Sequence, residues 1–250
     1  MNQSECRRFT FFIAVYCLAF TVILCALCFL YLAVCPPRTD AVVRMADAAA
    51  AGKPQVILDA GHGGRDGGAV GVTGLVEKEL NLEIAALLDD MLRAAGVTTR
   101  MTRSVDSLVC DESDPALHGR LKQTDLKNRV ALAEANPDAL FVSIHMNNFP
   151  VEKYHGLQVY YSPHAENSRA LAECIQENTA ALLQPDNTRK IKPAGSNIFL
   201  LDRIRTTAVL VECGFISNRA ESANLADEGY QKQIALVLAA SVLQNLCEQP

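Results

Sequence analysis

Apolar residues follow three different patterns along this chain. From Thr10 to Val34 they form one run without a charged side chain, dominated by Phe, Leu, Ile, Val, Ala and Cys. Such a run can cross a bilayer as a helix, for which about 20 residues suffice. Beyond it, short β-rich runs alternate with longer stretches whose apolar positions keep helical spacing. Strands are predicted at 55–60, 97–101, 139–144, 156–161, 197–201 and 207–212. Helices are predicted at 77–95, where Leu80, Leu82, Ile84, Leu87, Leu88, Met91 and Leu92 keep helical spacing, and at 121–135, 165–183 and 230–246. Gly96 and the pair Asn136-Pro137 stop the first two of these helices. Ser104 to Arg120 keeps neither period and carries turn formers, so it reads as a loop.

Strands alternating with helices imply an α/β fold. The expectation is a three-layer α/β/α sandwich with a mostly parallel twisted sheet, plus one N-terminal transmembrane helix. The domain boundaries expected are a short cytoplasmic N-terminus at 1–9, a transmembrane anchor at 10–35, a linker at 36–53 and one folded domain at 54–250. Arg7 and Arg8 precede the apolar run and favour a cytoplasmic N-terminus. The folded domain would then be membrane-anchored on the extracytoplasmic side. A cleaved signal peptide is the alternative, but the run exceeds the usual 7–15 residues of a secretory apolar core. Leu32-Ala33-Val34-Cys35 only faintly resembles a lipoprotein cleavage box, because Val34 stands where a small residue is expected.

Charge and cysteine usage mainly exclude. The net charge is −5 and no basic stripe with interleaved aromatics occurs, which excludes nucleic acid as a partner. Of nine cysteines, Cys6, Cys17, Cys25, Cys28 and Cys35 sit in or beside the anchor. Cys110, Cys174, Cys213 and Cys247 are far apart with no CxxC spacing, so they read as free thiols rather than a disulfide scaffold or zinc knuckle.

Chemistry is concentrated where apolar runs end. Val56 to Ala60 runs into a glycine-rich loop with His62 at the break, Leu140 to Ile144 runs into His145, and Ala208 to Val211 runs into Glu212. Strand ends of a parallel sheet meet at one rim, where open α/β folds place their sites. Zinc catalysis needs about three protein ligands and a position left for water. His62, Glu77 and His145 are the candidates, with Glu77 opening the helix after the first loop, where a carboxylate is favoured by the helix N-terminus. Glu79 competes with Glu77 on the same helix, whereas Glu83 reads as a solvated charge. Glu212 is costly to bury at the end of an apolar strand unless something uses it, and it is the candidate acid/base group. Cys213 follows it and should point to the opposite face of the sheet. His118, His155 and His164 fall in loops or at element starts and read as surface residues. The glycine loop does not bind phosphate by any known pattern: no Gly-Lys-Ser/Thr follows, and GHGGRDGG is not GxGxxG.

Four blocks, DAGHGGRDGGAVG, EKELNLEIA, FVSIHMN and VLVECGFISN, resemble in order the signatures of the zinc-dependent N-acetylmuramoyl-L-alanine amidases, the amidase_3 family. The resemblance covers about residues 54–247. It implies one Zn²⁺ ion, with His62, Glu77 and His145 as ligands and Glu212 as the catalytic glutamate, and it selects Glu77 over Glu79. The implied reaction is hydrolysis of the amide between N-acetylmuramic acid and L-alanine in peptidoglycan. Leu121 to Val130 and Asn187 to Lys192 are similar to stretches of the family's spore-cortex amidases. That subtype implies cortex maturation and supply of the precursor of muramic-δ-lactam. Cys213 and Met146 depart from frequent family residues without touching the proposed ligands. Only about ten residues separate His145 from Gly156, so the regulatory helical insertion of division amidases is expected to be absent. The partners implied are peptidoglycan and the membrane through the N-terminal helix, whereas the sequence is silent on any activator protein. The rival readings are a zinc exopeptidase on a similar fold and a non-catalytic peptidoglycan-binding module.

Overall fold

A computed structural model describes residues 55–248. The anchor expected at 10–35 and the linker expected at 36–53 lie outside the described residues. Among the described residues no helix is long and apolar enough to cross a membrane.

Strand β1 (Val56–Ala60) is buried along its whole length. A strand covered on both faces has no need of polar alternation, which is why its residues are apolar apart from Asp59. It lies between β2 (Thr99–Met101) and β3 (Leu140–Asn147), and β6 (Ala208–Phe215), β4 (Gln158–Tyr161) and β5 (Lys192–Pro193) complete a sheet of order β2-β1-β3-β6-β4-β5. β1, β2, β3 and β6 are mutually parallel, β4 runs antiparallel to β6, and β5 is parallel to β4. The expected mostly parallel sheet is present.

Alternate residues of each strand feed two cores. On one face Val56, Leu58, Val142, Ile144, Val209 and Val211 pack with α1 (Glu77–Ala94), α3 (Glu166–Leu182) and α6 (Glu228–Glu248). On the other, Ile57, Phe141, Ala208 and Leu210 pack with α2 (Leu121–Glu134) and α4 (Phe199–Arg203). Helices on both faces make the three layers that strand–helix alternation implies. Cys213 is fully buried in the first core, opposite Glu212, as its place in the strand predicts. Cys110, Cys174 and Cys213 are free thiols.

One element differs in type. Residues 197–201, expected as a strand, lead into α4, a short helix at Phe199–Arg203. Ile198, Phe199, Leu200 and Leu201 form a short apolar run, and such a run cannot be assigned to strand or helix by periodicity alone. Here Leu200, Leu201 and Ile204 are all buried, and helical spacing turns them together onto the second core. The short helix α5 (Arg219–Leu225) was not predicted. Asn218 caps it by accepting hydrogen bonds from the amides of Ala220 and Glu221 at 2.9 and 3.1 Å.

Candidate metal and acid/base site

The glycine-rich loop folds back over the start of α1. Helix α1 has no side-chain cap. Its first amides are satisfied by the loop instead, Glu77 N–H donating to Ala69 O at 2.9 Å and Lys78 N–H to Gly67 O at 3.1 Å. This return brings Glu77 to the rim where β1 and β3 end. Gly68 lies so close to that carboxylate that a Cβ there would sit 2.6 Å from Glu77 Oε2, and its φ of +68° suits only glycine well.

His62, Glu77 and His145 converge at the rim, with one donor atom from each within 4.8 Å of the others. Glu77 Oε1 lies 3.2 Å from His62 Nε2 and 3.0 Å from His145 Nδ1. Donors bound tetrahedrally to one ion at the usual zinc distances are separated by roughly 3.3 Å, so two edges of such a polyhedron already exist. Glu77 is 4% exposed, and its Oε2 accepts from Ala69 N–H at 2.9 Å. Burial raises its pKa, but the two imidazoles outweigh that and hold it well below the usual carboxylate range. Burial likewise lowers the affinity of His62 for a proton, and Glu77 and Asp66 reverse this and raise it. The site therefore favours positive charge, and its N, N, O donor set suits zinc. Glu79 is exposed and outside the cluster. His118, His155 and His164 are exposed and outside the cluster, as expected. Glu83 is exposed too, and it accepts from Gln231 Nε2 at 2.9 Å.

Glu212 stands beside this cluster. In the parallel β3–β6 register it is the partner of His145, and in the antiparallel β4–β6 register the partner of Gln158. The three side chains therefore share one face of the sheet. The Glu212 side chain is partly exposed, yet its Oε2 is buried and has no hydrogen-bond partner. Burial and the neighbouring Glu77 raise its pKa to about 7 against the opposing pull of His145. A carboxyl with that affinity can both accept and return a proton near neutrality.

The spacing of motif residues did not reveal what holds the loop in place. Two buried arginines clamp the backbone that carries His62. Arg129 donates from Nη1 to Ala60 O at 2.8 Å and from Nη2 to His62 O at 2.7 Å. Arg103 donates from Nε to Ala60 O at 2.9 Å and from Nη2 to Gly61 O at 3.0 Å, and Asn81 donates to Gly61 O at 3.1 Å. Arg129 is itself paired with Asp59 at 2.6 Å and Asp125 at 2.9 Å. This anchoring explains how His62 keeps a φ of +62°, the only positive value of a non-glycine among the described residues. Such a backbone costs about 1–3 kcal/mol and persists only when its surroundings fix it. On the outer side, His62 Nδ1 lies 3.0 Å from Asp66 Oδ2, at ion-pair distance but off the angle of a formed hydrogen bond. Asp66 in turn meets Lys122 Nζ at 3.1 Å.

Comparison with known proteins shows the family. The family model Amidase_3, described as N-acetylmuramoyl-L-alanine amidase, matches residues 56–244. The germination-specific N-acetylmuramoyl-L-alanine amidase of Bacillus subtilis (strain 168) is 36% identical over 195 residues, covering 78% of this chain and 80% of the relative. Among solved structures, the CwlD amidase from Clostridioides difficile in complex with the GerS lipoprotein is similar with a TM-score of 0.71 and 37% identity, covering 76% of this chain and 97% of that one. The amidase AmiC2 of Nostoc punctiforme follows the same fold with a TM-score of 0.63 and 32% identity, over 76% of this chain and 94% of its own. With fold, strand-end chemistry and relatives in agreement over most of its length, the chain belongs to the Amidase_3 family and is an N-acetylmuramoyl-L-alanine amidase.

Proposed function

We propose that this enzyme uses one zinc ion held by His62, Glu77 and His145, with Glu212 as the acid/base group, to release stem peptides from spore-cortex peptidoglycan. The observation that carries the proposal is a three-donor cluster within 4.8 Å beside a carboxylate whose buried oxygen has no partner. When bound, zinc would acidify a water and polarise the lactyl carbonyl of N-acetylmuramic acid. Glu212 takes the proton of the attacking water and then delivers it to the departing L-alanine nitrogen. The arginine-clamped loop fixes His62, and the Ala69 amide fixes the second oxygen of Glu77, so the donors do not have to be assembled during the reaction.

The similarity to a germination-specific amidase and to CwlD supports the spore role, in which peptide-free muramic acid becomes the precursor of muramic-δ-lactam. The charge-free run at 10–34 supports anchoring of the amidase domain outside the cytoplasm. CwlD was solved with a lipoprotein, which supports a protein partner here as well. A two-metal exopeptidase would need a second ligand cluster, and among the described residues His62, Glu77 and His145 form the one such group.

The decisive assay incubates the zinc-loaded protein with cortex peptidoglycan and measures new L-alanine amino termini. They are expected to appear, to vanish after chelation and to return with zinc. Activity on free dipeptides alone would favour the exopeptidase, and binding without any release would favour a wall-binding module. A smaller change tests the donor cluster. A Cβ at Gly61 would lie 2.2 Å from His145 Nε2. Gly61→Ala is therefore expected to displace that imidazole and weaken zinc binding by about 10–100-fold, read by competition with a chromogenic chelator. Unchanged affinity would remove His145 from the donor set.

A further inference from the structure

A cavity of about 260 Å³ opens on the β4–β5 side of Glu212, lined by Gln158, Arg189, Lys192, Phe149, Tyr154 and Phe215 among others. Its lining includes two cations and no carboxylate. Arg189 is built in rather than free-swinging. Its Nη1 donates to Gln158 Oε1 at 2.6 Å, its Nε donates to His155 O at 2.8 Å, and its guanidinium lies 4.4 Å from the centre of the Phe215 ring. Among the described residues Nη2 has no hydrogen-bond partner, on a guanidinium whose orientation is already fixed. Gln158 is the register partner of Glu212, and Arg189 is close enough for its charge to act on Glu212.

Resting on the reading of Glu212 as the group that protonates the leaving amine, we propose that this cavity receives the peptide side of the scissile bond and that Arg189 binds a carboxylate there. Charge decides which side enters. The N-acetylated glycan offers no ionised group, whereas the stem peptide carries carboxylates. Position agrees: the leaving nitrogen must lie at Glu212, its register partner Gln158 lies one strand on, about 4.8 Å away, and Arg189, from the loop before β5, donates to the Gln158 side chain. L-Alanine spans roughly 3.5 Å, so the first carboxylate within reach of Arg189 is the one on the second stem residue, the free α-carboxylate of a γ-linked glutamate. Arg189 thus becomes a specificity-determining residue that separates a free carboxylate from its amide. A neutral amide cannot replace a carboxylate in a charge-assisted pair with a guanidinium.

The test measures binding of two synthetic dipeptides, L-alanyl-γ-D-glutamate and its α-amide, to the full-length zinc-loaded protein by calorimetry. The wild type is expected to bind the acid about 10–100-fold more tightly than the amide. Arg189→Gln should bring that ratio close to one, Arg189→Lys should keep part of it, and Lys192→Gln should change it little. Equal binding of both peptides by the wild type would overturn the proposal, and so would a ratio that survives in Arg189→Gln. A merely structural role of Arg189 would weaken both peptides alike and leave the ratio intact. If the Glu212 reading fails instead, Glu212→Gln will hydrolyse peptidoglycan normally, a result independent of the dipeptide ratio.

Discussion

Glu212→Gln is expected to retain zinc and lose amide hydrolysis by roughly 10²–10⁴-fold, the range over which a positioned acid/base group accelerates proton transfer. Glutamine keeps the shape of the side chain, so β6 and its pairing with His145 and Gln158 should persist. What it removes is a carboxyl raised to about 7, able to hold and return a proton near neutral pH. The loss should fall on kcat, because both the attack and the departure of the amine need that proton, while the KM for peptidoglycan changes little. Zinc content measured on the same preparation separates this outcome from loss of the ion. A variant with wild-type turnover would take Glu212 out of the mechanism. A variant without zinc would make Glu212 a support of the donor cluster instead.

The positions of these four residues were legible because each follows an apolar strand run or opens a helix: His62 lies just past β1, Glu77 starts α1, and His145 and Glu212 follow the apolar runs of β3 and β6, which continue to Asn147 and Phe215. Buried parallel strands are short apolar runs, and a polar side chain that closes one is conspicuous. The same rule separated Cys213 from Glu212, since neighbours on a strand face opposite ways, and Cys213 lies in the opposite core. Three things could not be read. The apolar run that begins α4 has no period long enough to distinguish helix from strand. Helix α5 starts from a single asparagine cap in a stretch with no strong pattern. Most consequential, Asp125 and Arg129 keep an i, i+4 spacing that normally marks an exposed ion pair. In α2 these two residues, with Ala133, form the buried face. A polar buried face gives almost no amphipathic signal, so the support beneath His62 stayed hidden although the helix itself was predicted.

That hidden support leads to the largest expected effect on stability. Arg129→Met should destabilise the folded protein by about 3–5 kcal/mol at neutral pH, the cost of breaking a buried ion pair by deleting one partner. Methionine fills much of the space, so the cost arises from what is left behind. Asp59 is 0% exposed and Asp125 2% exposed, and the carbonyls of Ala60 and His62 lose a donor. Arg103 still holds Ala60 O and Gly61 O, so the loop should loosen at His62 rather than unravel. The dependence on pH identifies the cause. Burial alone would raise the pKa of Asp59, but the Arg129 charge, assisted by Ser143, His145 and Thr102, lowers it below the ordinary 3.8. In the wild type this contribution is therefore fully present above pH 3.8 and is lost as pH falls through the lower folded value. Without Arg129 the burial effect dominates and the folded pKa of Asp59 moves above its unfolded one. The sign then reverses: the buried acid is tolerated while protonated, and stability is lost as pH rises through the new folded value. Urea titrations of wild type and Arg129→Met at several pH values between 4 and 7 should show a gap that is widest at pH 7 and narrows toward pH 4. A gap constant with pH would assign the loss to packing rather than to the stranded carboxylate. Because Arg129 is, among the described residues, the one donor to the carbonyl of His62, the variant should also bind zinc about 10–100-fold more weakly even where it is fully folded.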